Sequence, residues 1–424
     1  MKTPPWIGSR QYIDKPFWVL FITLIVVAII SLFSAGSTLA YKAESSALSP
    51  ILQQILFIAL GVGCAYIVQL LPTWMVRIGG YAIWGLSFLC LLIMLIPGNG
   101  LVVTINGAGR WINLFGLQFQ PSELTKLGLI IVVADQLARI QNDEDVKKRF
   151  FWTLGLTAVT CFPIMTGNMS TAILLAGIVF LLWILARIPW KYLTITAGSA
   201  ILFAVLFYVI VKYAFINPGN TLPKPFDRAI TQVGRIDDMI AEFNQPAAEF
   251  KLTDDNYQRS IAKVAVMRGG KTPFGVGPGN SRERDILPLA YADYIFAIIV
   301  EETGLVGAGI LIFIYLAILF RACYASSKYE NYGPMLMTMG LALMITCQAF
   351  VSMAVAVGLG PVTGQPLPMI CTGGTTTIIT SLYFGVMMCV AREQNEMKAK
   401  ITASARASRE EAPTIDLTSI NDTL

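Results

Sequence analysis

The feature that most constrains this chain is a series of about ten apolar runs, each long enough to cross a membrane as a helix. A membrane-spanning helix needs roughly 20 mostly apolar residues. Of the 424 residues, 55% are hydrophobic and 13% charged, whereas soluble domains carry about 25% charged residues. Such a chain needs the bilayer as its solvent. The predicted spans are 17–39, 50–71, 79–97, 122–140, 151–167, 170–187, 192–215, 291–319, 333–357 and 374–391.

The Lys and Arg residues between these runs predict the orientation of the chain. They cluster in alternate connections, and cytoplasmic loops are the ones enriched in Lys and Arg. The opposite short connections are nearly free of them, with Lys42 and Arg110 as exceptions. We therefore expect a multi-pass protein of the cytoplasmic (inner) membrane with both termini in the cytoplasm. The first run lacks a small-residue cleavage site, which favours a retained helix over a signal peptide.

Two connections on the predicted outer side are unusually long. One covers 98–121, and the other covers 216–290, a length that favours a functional role. Helical apolar spacing in 226–243 predicts an amphipathic helix, either on the membrane surface or packed on the spans. The polar segment 400–424 is expected to be a disordered cytoplasmic tail. Residues 1–399 are thus expected to form an all-α polytopic membrane domain with a large extracytoplasmic loop between helices seven and eight.

The composition excludes several kinds of chemistry. The chain has no His, which is the commonest general base and metal ligand. Its seven Cys residues are scattered without a Cys-x-x-Cys pair, a pattern typical of small core side chains. The net charge of +5 lies mainly between the spans, so we expect no nucleic-acid partner. Any acid–base chemistry must use Asp, Glu, Lys or Tyr.

Ionisable residues in or beside the apolar runs are the first candidates for a functional site, because charge at membrane depth is costly. Asp293 stands at the outer mouth of span eight, where partial dehydration would raise the pKa of a carboxyl group and help it accept a proton. Glu301 and Glu302 are expected deeper on the same helix. Glu123 and Lys126 share a helix face at i, i+3. For these last four residues, a structural ion pair or backbone hydrogen bonding is an equally good interpretation.

Three segments rich in Gly or Pro lie on the predicted outer side. The run 275–284, which includes Arg284, predicts either a pyrophosphate-binding loop or a flexible hinge. In the run 107–112, Arg110 stands beside a Trp and would hold an anionic headgroup or anchor a helix. The run 360–374 contains three Pro and several Gly, which predicts a fixed, irregular backbone that lines a protein cavity.

Taken together, three motifs in this order resemble the SEDS family, which includes FtsW, RodA and SpoVE. The resemblance covers nearly all of the predicted spans. The motifs are Gly107-Ala108-Gly109-Arg110-Trp111-Ile112 with Gln120-Pro121-Ser122-Glu123 and Lys126; Asp293-Tyr294-Ile295-Phe296-Ala297 with Glu301-Glu302 and Gly304; and Thr363-Gly364 with Pro366-Leu367-Pro368 and Gly373-Gly374. Each is weak alone, but the three together are highly specific.

The resemblance implies a SEDS-type fold and a peptidoglycan glycosyltransferase that polymerises lipid II on the outer face of the membrane. It implies a class B penicillin-binding protein, other divisome proteins and membrane lipids as partners. The family's essential aspartate falls on Asp293, which is the predicted catalytic residue. The predicted substrate-binding residues are Arg110, Glu123, Lys126, Ser281, Arg284 and Gln258.

The sequence departs from the family pattern in two places. Asn168 stands where the family often has an aspartate, and Leu289 and Tyr291 stand where it has Glu and His. A role for that aspartate cannot be carried over to this chain, and neither the Glu nor the His can be indispensable to its chemistry. The segments 33–38 and 277–281 look more like the division branch, FtsW, than the elongation branch, RodA. That similarity predicts a role in septal cell-wall synthesis.

The predicted reaction is glycosyl transfer between two lipid-linked disaccharides, with Asp293 as the base. The leaving pyrophosphate needs positive charge, which Arg110, Lys126 or a divalent cation, Mg²⁺ or Mn²⁺, would supply. No cofactor is assigned, and a metal on Asp293 is an open alternative. A transporter that flips the precursor is a competing interpretation, and so is a scaffold that only activates its transpeptidase partner. A transporter should carry polar groups through to the cytoplasmic side, whereas the candidate residues gather at the outer face.

Overall fold

The protein is described by a computed structural model over residues 10–42, 48–96, 100–105, 108–114, 117–140, 143–215, 254–287, 293–327, 331–371 and 373–410, with positions 230–231, 233–235, 237 and 240–241. It is predominantly helical, which confirms the predicted fold class. The helices are α1 Lys15–Lys42, α2 Leu48–Leu70, α3 Thr73–Met94, α4 Pro121–Ala138, α5 Asp143–Gly167, α6 Met169–Leu185, α7 Trp190–Ile210, α8 Asp254–Gly269, α9 Glu283–Ile286, α10 Ile295–Ser326, α11 Tyr332–Ala356 and α12 Thr375–Glu410.

Each of the ten predicted spans coincides with a helix, namely α1 to α7 and α10 to α12. Within the described residues, eight of these helices are long and apolar enough to cross a membrane. The two exceptions are α4, which carries Glu123, Lys126 and Asp135, and α6, which has only 17 residues. The membrane character is therefore established, while a total of ten crossings stays a prediction.

Helix α4 lies at the centre of the bundle, because nearly all of its side chains are buried. Two glycines allow its neighbours to approach closely, as small residues do between membrane helices. A Cβ atom at Gly128 would lie 2.6 Å from the backbone nitrogen of Trp84 on α3. A Cβ atom at Gly340 on α11 would lie 2.6 Å from Cγ2 of Ile130. The polar groups of α4 are therefore held inside protein and away from lipid.

Helix α10 is broken at Gly304, whose φ of 68° and ψ of −163° are not helical. Every residue of its first segment from Ile295 to Glu302 is buried. Its second segment, 305–326, has both buried and exposed side chains, and the exposed apolar ones include Phe313 and Phe320. The break thus separates a buried segment next to Asp293 from a segment with an apolar outer face.

The membrane depth predicted for Glu302 stays a prediction, but its position along α10 follows from contacts with α1. Helix α1 runs antiparallel to α10 and contacts it at both ends, since Asp14 pairs with Arg321 and the Ser34 hydroxyl donates to Glu302. The residues from Asp14 to Ser34 span about 30 Å at 1.5 Å per residue, close to the thickness of the hydrocarbon core. Glu302 is therefore about 30 Å along α1 from the Asp14–Arg321 pair.

A small antiparallel sheet stands between α3 and α4, and the sequence did not predict it. Its strands are β1 Val102–Ile105, β2 Ala108–Leu114 and β3 Leu117–Phe119, in the order β1-β2-β3. On the central strand, Trp111 pairs with Val103 and Ile112 pairs with Phe119. Arg110 lies at a bulge of β2, between the pairs Val103–Trp111 and Thr104–Gly109, so its backbone is held by the paired residues before and after it.

The loop between α11 and α12, residues 357–371, has the irregular backbone that was predicted. Gly358, Gly364 and the non-glycine Met369 all have positive φ values, of 81°, 62° and 69°. The loop is tied to the bundle, because Gln348 of α11 donates to the carbonyl of Pro366 and Tyr315 of α10 donates to that of Pro368. Within a membrane, irregular backbone is tolerated only where protein surrounds it or where it lines a cavity.

Two expectations about peripheral segments change. Helix α12 continues to Glu410, so residues 400–410 are helical and not part of a disordered tail; this segment is rich in Ala and Arg, which favour helix. Residues 411–424 of the predicted tail lie outside the described residues.

The described positions between 230 and 241 are helical, and Val233 is buried against Val211 just after α7. This contact favours a packed helix over one that lies on the membrane surface.

Candidate functional site

Asp293 lies half-buried in the turn before α10. Burial raises the pKa of its carboxyl group, while the guanidinium groups of Arg110 and Arg235 act in the opposite direction. A carboxyl group with a raised pKa accepts a proton more readily near neutral pH. Two nearby cations also make the surroundings of this group attractive to an anion. The arrangement can therefore combine a base with anion binding.

Arg110 is held between two turns of the bundle. Its Nε donates to the carbonyl of Gly167 at the end of α5 at 3.0 Å. On another side lies Gly364 of the α11–α12 loop, where a Cβ atom would stand 2.9 Å from Nη1 of Arg110. Asn168, which replaces the family's usual aspartate, caps α6 by accepting from the backbone N–H of Thr171 at 3.3 Å. The missing aspartate is thus replaced by an amide that keeps the turn in place.

Arg235 is a residue of this site that the sequence did not single out. Its Nη1 donates to the carbonyl of Val362 in the α11–α12 loop at 2.9 Å. It stands in the segment 226–243, whose helical spacing placed charged residues between apolar ones. That pattern predicted a helix, but nothing in it indicated that one of its arginines would approach Asp293. The approach depends on how the connection between α7 and α8 packs against the bundle.

Glu123 and Lys126 form a buried ion pair of 2.7 Å on α4. The ammonium group also donates to Oε1 of Gln348 at 2.8 Å, and Gln348 in turn holds the carbonyl of Pro366. This chain of contacts connects α4 to the α11–α12 loop that contacts both arginines. The pair therefore supports the site structurally, and its assignment to substrate binding stays a prediction.

Ser281 and Arg284 belong to a second cluster, centred on Glu301 and Glu302. The Ser281 hydroxyl donates to Glu301, and Nη1 of Arg284 lies 3.7 Å from Oε1 of Glu302. Arg284 also pairs with Asp285 at 3.2 Å. Its charge is thus already balanced by two carboxylates, which disfavours the predicted role in holding a pyrophosphate. The remaining predicted residue, Gln258, lies half-buried on α8.

The glycine-rich run 275–284 is neither a free phosphate loop nor an unattached hinge. The backbone N–H groups of Val276 and Gly277 donate to the carbonyls of Glu301 and Glu302 at 2.9 and 3.0 Å. A phosphate loop needs such amides unpaired. Gly275, which has a positive φ, lies in close contact with α10, since a Cβ atom there would stand 2.5 Å from the carbonyl oxygen of Glu301.

The opposite end of the bundle holds a separate charged cavity of about 560 Å³. Its lining includes Arg77, Asp135, Arg139 and Lys398. Along α4 it is separated from Lys126 by the buried, uncharged residues from Leu127 to Ala134, a stretch of about 13 Å at 1.5 Å per residue. The polar groups at the two ends of α4 are therefore not connected along this helix.

Comparison with known proteins supports the family resemblance found in the sequence. The family model for FtsW, RodA and SpoVE, described as "Cell cycle protein", matches residues 14–396. A probable peptidoglycan glycosyltransferase FtsW of Saccharophagus degradans is 30% identical over 93% of this chain and 98% of its own length. A protein of the same description from Enterococcus hirae is 29% identical over 90% of this chain and 92% of its own length.

Solved structures share the fold. A chain from a structure titled "Structural coordination of polymerization and crosslinking by a peptidoglycan synthase complex" has a TM-score of 0.67 at 23% identity, covering 90% of this chain and 98% of that one. The rod shape determining protein RodA of Thermus thermophilus has a TM-score of 0.58 at 21% identity, with 90% and 97% covered. Since the family model spans most of the sequence and includes all three motifs, this chain belongs to the FtsW/RodA/SpoVE family, the SEDS proteins.

Proposed function

We propose that this protein is a peptidoglycan glycosyltransferase that polymerises lipid II, with an FtsW-like role in septal wall synthesis. The observation that carries the proposal is the half-buried carboxyl group of Asp293 with the cations of Arg110 and Arg235 beside it. Relatives over nine-tenths of the chain described as peptidoglycan glycosyltransferases support the reaction class. A transporter is less well supported, because buried apolar residues of α4 separate the polar groups at its two ends.

In the proposed mechanism Asp293 acts as the general base. Its carboxylate takes the proton from the 4-hydroxyl of the acceptor sugar, and that oxygen attacks the anomeric carbon of the donor. The bond from the anomeric carbon to the phosphate oxygen breaks, and the lipid pyrophosphate leaves with the electron pair. Arg110 and Arg235 stabilise the negative charge that develops on the leaving group. Asp293 then releases its proton to solvent.

A resident divalent cation fits these residues poorly. Mg²⁺ and Mn²⁺ prefer several oxygen ligands, and within the described residues no group of three or more His, Cys, Asp or Glu side chains is placed to hold a metal. The cations of Arg110 and Arg235 also repel a metal ion from Asp293. No step of the proposed mechanism therefore depends on one.

The proposed setting is the inner membrane, with both termini in the cytoplasm and Asp293 on the outer side. The alternate clusters of Lys and Arg support this orientation. A class B penicillin-binding protein is the proposed partner, together with other divisome proteins and membrane lipids. A structural relative that belongs to a peptidoglycan synthase complex supports the first of these.

A polymerisation assay tests the function directly. The full chain, purified in detergent without any other polymerase, is incubated with lipid II, and the products are separated by gel electrophoresis. We expect glycan strands that a muramidase degrades. Detergent removes sidedness, so a transporter would leave lipid II unchanged, and a scaffold would give product only after a second polymerase is added.

Arg235→Gln is expected to shift the pH dependence of this reaction. Burial raises the pKa of Asp293, and Arg235 is one of two cations that lower it. Loss of Arg235 should therefore raise this pKa further. Because the base must be ionised, activity on acidification should then be lost at a higher pH than in the wild type. The measurement is the initial polymerisation rate as a function of pH.

Arg282→Gln provides the control for this shift. Arg282 is an exposed arginine of the same connection, and it is not among the charges that act on Asp293. Its pH profile should match the wild type. If Arg235→Gln loses activity on acidification at the same pH as the wild type, electrostatic coupling between Arg235 and Asp293 is contradicted.

A further inference from the structure

We infer that Arg268 and Glu301 are positioning residues, which lock the first segment of α10, residues 295–303, and thereby fix Asp293. The inference rests on the proposed function for the role of Asp293. The segment begins two residues after Asp293 and ends at the break at Gly304. Because of that break, the segment is not held by a continuous helix to the membrane-spanning part of α10. Something else must hold it in place.

The first part of the lock is a set of backbone hydrogen bonds that replace those lost at the break. The carbonyl of Glu302 accepts from Gly277, and that of Glu301 accepts from Val276. Beyond the break, the N–H of Val306 donates to the carbonyl of Pro273 at 3.0 Å. Groups freed by a broken helix must find partners when they are buried. Here the connection between α8 and α9 supplies them on both sides of the break.

The second part is close contact between backbones. A Cβ atom at Gly269, the last residue of α8, would lie 2.0 Å from the carbonyl oxygen of Val300. At Gly275 it would lie 2.5 Å from that of Glu301, and at Gly304 it would lie 2.4 Å from the nitrogen of Gly275. The contact is therefore possible only with glycine at these positions. A side chain at any of them would push the segment away from α8.

The third part is the buried carboxylate of Glu301, which is fully enclosed. It accepts from Nη1 of Arg268 at 3.0 Å, from the Ser281 hydroxyl, and from the backbone N–H of Arg282 at 3.2 Å. A buried charge is tolerated only when it is paired and hydrogen-bonded. Arg268 supplies the positive charge from α8, so this ion pair fixes the orientation of the segment relative to α8.

A small tilt of the first segment of α10 would displace Asp293 and thereby affect the reaction. From Glu301 to Asp293 the chain covers about 12 Å at 1.5 Å per residue. A tilt of the segment by about 5° at Glu301 would thus move Asp293 by about 1 Å, and a misplacement of that size can reduce a rate about 10²-fold. Loss of the Arg268–Glu301 pair is therefore expected to act on the chemical step through the position of Asp293.

The test compares two ion pairs on the two sides of the break. Arg268→Gln removes the pair to the first segment, together with a longer contact of 3.7 Å to Glu283. Arg321→Gln removes the pair between Arg321 and Asp14 at the far end of the second segment. For Arg268→Gln we expect kcat for lipid II to fall about tenfold to a hundredfold with KM little changed. Arg268→Lys should recover part of the loss. Arg321→Gln should keep kcat near the wild-type value.

Hydrogen exchange gives the readout that does not depend on activity. In Arg268→Gln, amides in 295–303 should exchange faster, while those in 305–326 keep their protection. If Arg268→Gln cannot be purified as a folded protein, Ser281→Ala removes one hydrogen bond to Glu301 and should show the same pattern more weakly.

Two results would overturn the inference. One is wild-type kcat and wild-type exchange in the variant, and the other is a lower kcat with unchanged exchange in 295–303. A wild-type protein that does not polymerise lipid II would instead refute the proposed function, and the exchange experiment would still decide whether the lock exists.

Discussion

Asp293→Asn is expected to reduce the rate of lipid II polymerisation by a factor of about 10² to 10⁴, the usual contribution of a general base. The amide has nearly the same shape as the carboxyl group but cannot take the proton of the acceptor hydroxyl. Since Arg110 and Arg235 are untouched, binding of the anionic substrate should be largely retained. The fall should therefore appear in kcat, measured from initial rates with saturating lipid II.

Asp285→Asn is the matched control for this experiment. It makes the same chemical change in the connection that precedes α10, but the Asp285 side chain is 60% exposed and its partner is Arg284. Its rate should stay within a few-fold of the wild type. Substantial polymerisation by Asp293→Asn would reject Asp293 as the base, whereas loss of activity in both variants would show that any charge change in this connection is harmful.

Lys126→Met is expected to lower the free energy of unfolding by about 3 to 5 kcal/mol, the usual cost of breaking a buried ion pair. The Lys126 and Glu123 side chains are 0% and 5% exposed, so the single change leaves the carboxylate of Glu123 buried without its cation. The double change Glu123→Gln with Lys126→Met should regain most of that loss, because neither remaining side chain is charged. Denaturant unfolding in one detergent measures both variants.

Lys400→Met is the control for the stability effect, because it removes the exposed Lys of the Glu396–Lys400 pair on α12, whose side chain is 74% exposed. Such pairs contribute about 0 to 1 kcal/mol. A double variant no more stable than Lys126→Met would contradict the ion-pair explanation. Activity then separates the two interpretations of the pair: a purely structural pair predicts that the stable double variant polymerises lipid II, whereas substrate contact predicts that it does not.

Helix positions were predictable from the sequence because the membrane imposes a simple rule on length and polarity. A run of apolar residues such as 50–71 or 333–357 has no other stable arrangement in a bilayer, so α2 and α11 coincide with their predictions. The irregular loop before α12 was predictable for a similar reason, since its Pro and Gly residues exclude a regular helix. The break at Gly304 was missed, because the apolar run 291–319 continues through it and one Gly gives no distinct signal.

The sequence by itself determined that the chain is a membrane protein of the SEDS type, and it singled out Asp293 and Arg110 as candidates. These conclusions depend on local composition, spacing and motif order. Only the tertiary structure decided that Arg235 approaches Asp293 and that Arg284 pairs with Glu302. Charge–charge contacts fall off steeply with distance, so their partners are settled by how segments far apart in the chain pack together.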